Sequence, residues 1–112
     1  MDEKTLSVFP IGETNNAFSQ CFVGQSYLNM LSTQQVGIGN VTFEPGCRNN
    51  WHIHHANKGG GQILTVTAGR GYYQEWGKEA QELHPGDVVN ILAEVKHWYG
   101  AASDSWFQHL AI

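Results

Sequence analysis

The sequence is poor in positive charge and almost without sulfur chemistry. Lysine and arginine number 6 against 10 acidic residues, for a net charge of −4, and the cations stand singly at Lys4, Arg48, Lys58, Arg70, Lys78 and Lys96. No basic stripe could neutralise successive phosphates, so nucleic acid is not expected as a partner. The 2 cysteines, Cys21 and Cys47, form no C-x-x-C pair. Neither a disulfide framework nor a thiolate zinc site is therefore expected. No apolar run reaches the roughly 20 residues that cross a bilayer. The start, Met1-Asp2-Glu3-Lys4, lacks the basic and apolar stretches of a secretory signal. These absences predict a chain without a membrane partner, residing in a reducing cytoplasm.

What the sequence does have is β-formers and histidine. Four Trp, 4 Tyr and 5 Phe in 112 residues supply a core, and the length suits one domain rather than two. Val, Ile, Thr and aromatic residues recur in short runs bounded by Gly, Pro, Asn and Asp, while capped helical spacing is hard to find. Strands are predicted at Ser26 to Leu31, Gln35 to Glu44, Trp51 to His55, Gln62 to Ala68, Tyr72 to Trp76, Ala80 to Leu83, Asp87 to Leu92, His97 to Ala101 and Trp106 to Ile112. Turn signals fall between them, such as Glu44-Pro45-Gly46, Gly69-Arg70-Gly71 and His84-Pro85-Gly86-Asp87. Such spacing favours an all-β sandwich or jelly-roll barrel with little helix. Residues 1–34 read as an N-terminal arm with the first strands, and 35–112 as the barrel core. The polar first twenty residues fit an arm, a short helix or a crossing strand equally well. Gly59-Gly60-Gly61 reads as a loop tip, because no Lys-Ser or Lys-Thr follows to make it a phosphate loop.

Three of the 6 histidines crowd into Trp51-His52-Ile53-His54-His55. In an extended strand His52 and His54 share a face with Cβ atoms about 7 Å apart, close enough for two imidazoles to converge on one cation. Ile53 and His55 then face the other way. Gln62 and His97 each follow a turn at a strand start, and could reach the same barrel mouth.

Those residues resemble the two motifs of the cupins. Gly46, five residues, His52-Ile53-His54, then Gln62, six residues and Gly69 is similar to the first motif; Gly86, five residues, Leu92, then Glu94-Val95-Lys96-His97 is similar to the second. The chain departs from the pattern in a longer His55 to Gly61 loop and in Leu92 and Glu94, where the family has Pro and Gly. The runs His84 to Val89, Lys96 to Ala102 and His109 to Ile112 look like the small single-domain branch that includes manganese cupin hydroxynitrile lyases and cupins associated with carboxymuconolactone decarboxylases. The resemblance implies a jelly-roll barrel with metal ligands His52, His54, Gln62 and His97. Gln62 in place of the usual Glu leaves a divalent ion four neutral donors and its full charge, which favours anion binding. Manganese leads among the implied metals, with iron, nickel and zinc admissible for such donors.

His109 shares a face with Phe107 and Ala111, which the resemblance places inside the barrel, and is the candidate general base; Tyr99 is the candidate donor to a substrate oxygen. Phe43, Trp51 and Phe107 are candidate pocket walls. His55, His84, Arg48 and Arg70 read as surface groups, and Cys47 as a structural thiol. The last strand is apolar on both faces, so a homodimer burying Trp106 and Leu110 is expected. The resulting reading is a metal-dependent lyase or isomerase acting on a small oxygenated substrate, with cleavage of a hydroxynitrile as its sharpest form. An Fe²⁺ dioxygenase and a non-catalytic small-molecule or metal-binding module are the alternatives.

Overall fold

The structure is a computed structural model that describes residues 6–15, 22–53 and 61–112. Its described residues form two antiparallel sheets and no helix. The first sheet orders β1 (Glu13–Thr14), β3 (Ser26–Ser32), β4 (Ile38–Phe43), β11 (Phe107–Ala111), β6 (Gln62–Gly69) and β9 (Val88–Ile91) as β1-β3-β4-β11-β6-β9. The second orders β2 (Phe22–Val23), β5 (Arg48–Asn49), β10 (His97–Ala101), β7 (Gly71–Glu75) and β8 (Gln81–Leu83) as β2-β5-β10-β7-β8. Consecutive strands change sheets except at the hairpins β3–β4 and β7–β8, the crossing pattern of a jelly roll. No helix of the described residues is long and apolar enough to cross a membrane.

Alternation along the strands decides what lies between the sheets. In β6, Leu64, Val66 and Ala68 are buried while the residues between them are at most half-buried, the period-two pattern of a strand with one face inward. Val41, Phe43, Leu64, Val66, Tyr73, Leu83, Val89, Ile91, Tyr99 and Phe107 form one core cluster. The turn from β6 to β7 depends on Gly69, whose φ of 78° is left-handed; a Cβ there would stand 1.8 Å from the Trp106 carbonyl oxygen, closer than any side chain tolerates.

Two expectations need correction. The predicted strand from Trp51 to His55 does not form over its described part: pairing falls instead at Arg48–Asn49, and His52 makes a single bridge to His97. Ladder pairing in β5 stops one residue after Arg48 pairs with Gly100, so His52 is held by its bridge and not by strand alternation. The predicted strand from Gln35 begins only at Ile38, because Gln35 itself takes a φ of 58° in the bend after β3.

The N-terminal segment is an arm that ends in a short crossing strand. Glu13 and Thr14 pair with Leu28 and Tyr27, and residues 6–10 lie across the outer face of the first sheet. There the Ser7 hydroxyl donates to the Gln108 side-chain oxygen, while Asn40 donates to the Pro10 carbonyl at 2.8 Å. Gln108 is wholly buried on that outer face and also donates to the Thr42 hydroxyl at 3.1 Å. The arm thus covers polar as well as apolar groups of the last strand. Trp106 is half-buried and stacks on Tyr27 at 6.2 Å.

Candidate functional site

The starts of β4 and β6 and the ends of β3 and β11 meet at one end of the barrel, since Gly39 pairs with both Met30 and Ala111, and Ala111 pairs with Leu64. A cavity of about 690 Å³ opens there. Phe22, Leu28, Met30, Val41, Trp51 and Ala111 give it apolar walls; Asn15, Asn49, Asn50, His52, Gln62 and Tyr99 supply its polar groups. No Lys, Arg, Asp or Glu lines it among the described residues.

His52 and His97 stand together at this end, their ring centroids 4.2 Å apart. Their backbones hold one another in both directions: His52 N donates to His97 O at 2.9 Å, and His97 N donates to His52 O at 3.0 Å. Each imidazole is also fixed locally by the same device. His52 Nδ1 donates to the carbonyl of Asn50, two residues earlier, at 2.8 Å, and His97 Nδ1 donates to the carbonyl of Val95, again two residues earlier, at 2.8 Å. A carbonyl can only accept, so both Nδ1 atoms carry a proton, and in the neutral ring Nε2 is then the lone-pair nitrogen. That is the tautomer a metal-ligating histidine needs.

Gln62 opens β6 and presents its side-chain oxygen to the Tyr99 hydroxyl, which donates to it at 3.2 Å. An amide oxygen has a second lone pair, so the same atom can still face a cation. Two imidazoles and an amide oxygen are neutral N and O donors and suit a divalent transition ion. His54, the fourth expected ligand, lies outside the described residues, as does His55. Among the described residues no group of three or more His, Cys, Asp or Glu side chains gathers as a metal site, here or elsewhere.

The turn before His97 departs from the family pattern yet delivers its histidine. Glu94 stands where that pattern has Gly, and takes a φ of 70°, the left-handed geometry glycine accepts most easily. Val95 then places the carbonyl that fixes the His97 tautomer.

Tyr99 lies deeper, stacked on His97 at 6.1 Å with 14° between the rings. Its backbone N–H donates to the Asn49 side-chain oxygen at 2.8 Å. Burial pushes the phenol up to about 12, and the bond it donates to Gln62 needs its proton. It is therefore a neutral phenol whose proton is committed to Gln62, and what it offers the cavity is an acceptor oxygen rather than the donor foreseen from sequence.

His109 is placed otherwise. It is wholly buried below Tyr99, whose ring it meets edge-on at 5.1 Å, with Phe43 at 5.7 Å and Phe107 at 5.4 Å. Neither ring nitrogen has a side-chain partner among the described residues, and burial lowers the imidazole to about 4, against a contact with the Leu110 backbone that favours the charged form. His109 does not line the cavity, and neither do Phe43 and Phe107, which are core beneath it. Of the three aromatic walls expected, Trp51 alone takes that place; Leu28, Met30, Ala111 and Asn49 were not singled out by the sequence. Their signal was strand alternation read across three strands at once.

The remaining candidates have ordinary surroundings. Cys47 is buried and its thiol is pushed up to about 12 by burial and by Glu44. His84 sits on an exposed turn with Glu82 at 2.9 Å, and Arg70 on the β6–β7 turn pairs with Asp104. Arg48 lies over the Trp98 ring at 5.6 Å.

With fold and geometry given, the comparisons define the class: residues 39–112 match the family described as Cupin domain, and the chain belongs to the cupin family. Within it, the chain is 51% identical over 77 residues to an (R)-mandelonitrile lyase from Granulicella tundricola, covering 69% of this chain and 56% of that protein. It therefore spans little more than half of that relative's length. A cupin-like protein from Thermotoga maritima is 43% identical, with a TM-score of 0.82 over 94% of this chain and 78% of that one. A protein described as a predicted oxalate decarboxylase, also from Thermotoga maritima, has a TM-score of 0.76 over 98% of this chain and 93% of its own at 16% identity, a likeness of fold alone.

Proposed function

We propose that this protein is a metal-dependent cupin enzyme of lyase type, taking a small uncharged oxygenated substrate, with cleavage of a hydroxynitrile to an aldehyde and hydrogen cyanide as its sharpest form. The observation that carries the reading is the pair His52 and His97, each with Nδ1 tied to a carbonyl two residues back, beside a Gln62 oxygen at the mouth of an apolar cavity. The likeness to the mandelonitrile lyase supports the same reaction class.

His52, His54, Gln62 and His97 would hold the ion, with Mn²⁺ the first candidate and Fe²⁺, Ni²⁺ and Zn²⁺ compatible with the donors. When bound, it would supply undiminished positive charge for an oxygen or cyanide developing negative charge. The chain's own residues then do the rest. Tyr99 accepts the substrate hydroxyl's hydrogen bond while its own proton stays on Gln62. Phe22, Leu28, Met30, Val41 and Trp51 hold the apolar part of the substrate and exclude water. As the carbon–carbon bond to the nitrile breaks, its electron pair leaves with cyanide and the O–H pair becomes the second carbon–oxygen bond. The hydroxyl proton ends on cyanide, so the step balances without an added acid or base. His109, shielded by Tyr99, does not touch the substrate in this reading.

The described walls carry no Lys or Arg, so in this reading the positive charge that meets developing negative charge is the ion's own. The test is direct: protein loaded with Mn²⁺ is expected to release benzaldehyde from mandelonitrile, with the rate abolished by chelation. No release with any of the four metals would overturn the lyase reading. Substrate-dependent oxygen uptake with Fe²⁺ would favour the dioxygenase, and tight ligand retention without turnover the binding module. A homodimer and a cytoplasmic setting complete the proposal; sedimentation at micromolar concentration tests the first.

A further inference from the structure

The outer side of the His52–His97 bridge carries a feature that the proposed chemistry does not use. Trp76, in the turn after β7, is 63% exposed, an unusual position for so large an apolar side chain. Its ring meets Trp51 edge-on at 5.0 Å, and Lys96 places its ammonium 4.2 Å above the same ring. Trp51 and Lys96 are the residues immediately before His52 and His97. Trp51 also meets Trp98, the residue after His97, at 6.4 Å, and the Trp98 indole donates to Gln74 at 2.8 Å. The Trp76 backbone N–H donates to the Lys96 carbonyl at 2.8 Å.

Side chains on neighbouring residues of extended backbone point to opposite sides. At the start of β10 this turns Lys96 away from His97 and onto the Trp76 indole; Trp51, whose ring also borders the cavity, meets the same indole with its edge. His52 lies outside any strand, and the two-residue bridge and this outer grip both tie its segment to β10. The edge-to-face pair and the cation–π contact both favour the closed bridge.

We infer that Trp76 is a positioning residue, an external buttress that sets the spacing of His52 and His97 by gripping the residue before each. The grip stands on backbone geometry; its consequence for metal binding rests on the reading given under Proposed function.

The experiment is amide hydrogen exchange on the metal-free full chain, followed by Mn²⁺ titration, for wild type, Trp76→Ala, Trp76→Phe and Lys96→Gln. In Trp76→Ala, exchange at His52 and His97 is expected to speed about tenfold while β6 and β11 keep their protection, with Mn²⁺ binding weakened about tenfold, the low end of what lost outer support costs a metal site. Trp76→Phe should restore most of both, and Lys96→Gln, which leaves the ring packing intact, should give a smaller change in the same direction. Unchanged exchange at the two histidines in both Trp76→Ala and Lys96→Gln overturns the inference, as does a uniform rise across both sheets. Localised exchange in a protein whose wild type binds no Mn²⁺ leaves the buttress standing and removes the metal reading instead.

Discussion

His97 and His109 are both wholly buried, one in each sheet, and both lie against Tyr99, yet their surroundings make them different chemical groups. His97 has a backbone carbonyl that fixes its tautomer, a bridge partner in His52 and a place beside the cavity's polar groups. His109 has aromatic rings on three sides and, among the described residues, no side-chain partner for either nitrogen. Burial alone therefore says little about function. A buried histidine is prepared for ligation when one nitrogen is committed and the other left with its lone pair; a histidine walled by aromatics is held neutral at a cost to stability.

The largest effect expected on this contrast is at the mouth. His52→Ala should weaken Mn²⁺ binding by more than about a hundredfold and abolish turnover, measured by calorimetric titration and benzaldehyde release. His109→Leu, in contrast, should leave Mn²⁺ affinity within about twofold, since this side chain touches neither imidazole's hydrogen bonds. Equal losses in both variants would erase the distinction.

Next comes acid stability. The native His109 titrates near 4 and an unfolded histidine near 6.5. Between those values the unfolded chain binds more protons than the native state, so stability rises with pH across the window and is lost as pH falls through it. The loss approaches about 3 kcal/mol at pH 4, because each pKa unit is worth about 1.4 kcal/mol. Denaturant melts of wild type and His109→Leu from pH 7 to pH 4 should show the leucine variant losing less by about that amount. Parallel curves would show that His109 is protonated without penalty, and so has a partner in solution.

A smaller effect joins the two histidines through their shared neighbour. Tyr99→Phe removes the hydrogen bond to Gln62 and should cost about 1 kcal/mol of stability. It should also free the amide to rotate, so that Mn²⁺ affinity falls while the ring packing on His97 and His109 persists. A change in stability with unaltered metal affinity would remove Gln62 from the ligand set.

The sequence carried most of the barrel because strand alternation and turn residues are local signals: β10 runs from His97 to Ala101 as read, and β6 differs from its expected range by one residue. Motif spacing is what singled out His52, Gln62 and His97. It did not show their mode of fixation, since a carbonyl two residues back depends on how each turn closes rather than on which residue donates it. The displacement of the strand at Trp51 follows from pairing: alternation cannot say where a partner strand stops supplying hydrogen bonds. Period two put His109 on one face with Phe107 and Ala111 and the cupin resemblance turned that face inward, where it is buried, but this separates only inside from outside. Whether an interior group meets the cavity or the packed core depends on Tyr99 lying between, a contact between strands of different sheets.

The smallest effect expected tests how the chain keeps His97 in place despite breaking its family's turn pattern. Glu94 has a left-handed φ of 70°, which costs an L-residue roughly 1–2 kcal/mol and glycine nearly nothing. Glycine gives back part of that advantage through the entropy of the unfolded chain. Comparing Glu94→Gly with Glu94→Ala cancels the loss of the carboxylate, which both share. The glycine variant should therefore be the more stable of the two by roughly 0.5–1 kcal/mol, read from paired denaturant melts. His97 should keep its bond to Val95 in both, visible as an unchanged Nδ1–H resonance. If alanine proves the better residue, the turn in solution is not left-handed at position 94, and the carbonyl of Val95 must reach His97 by another path.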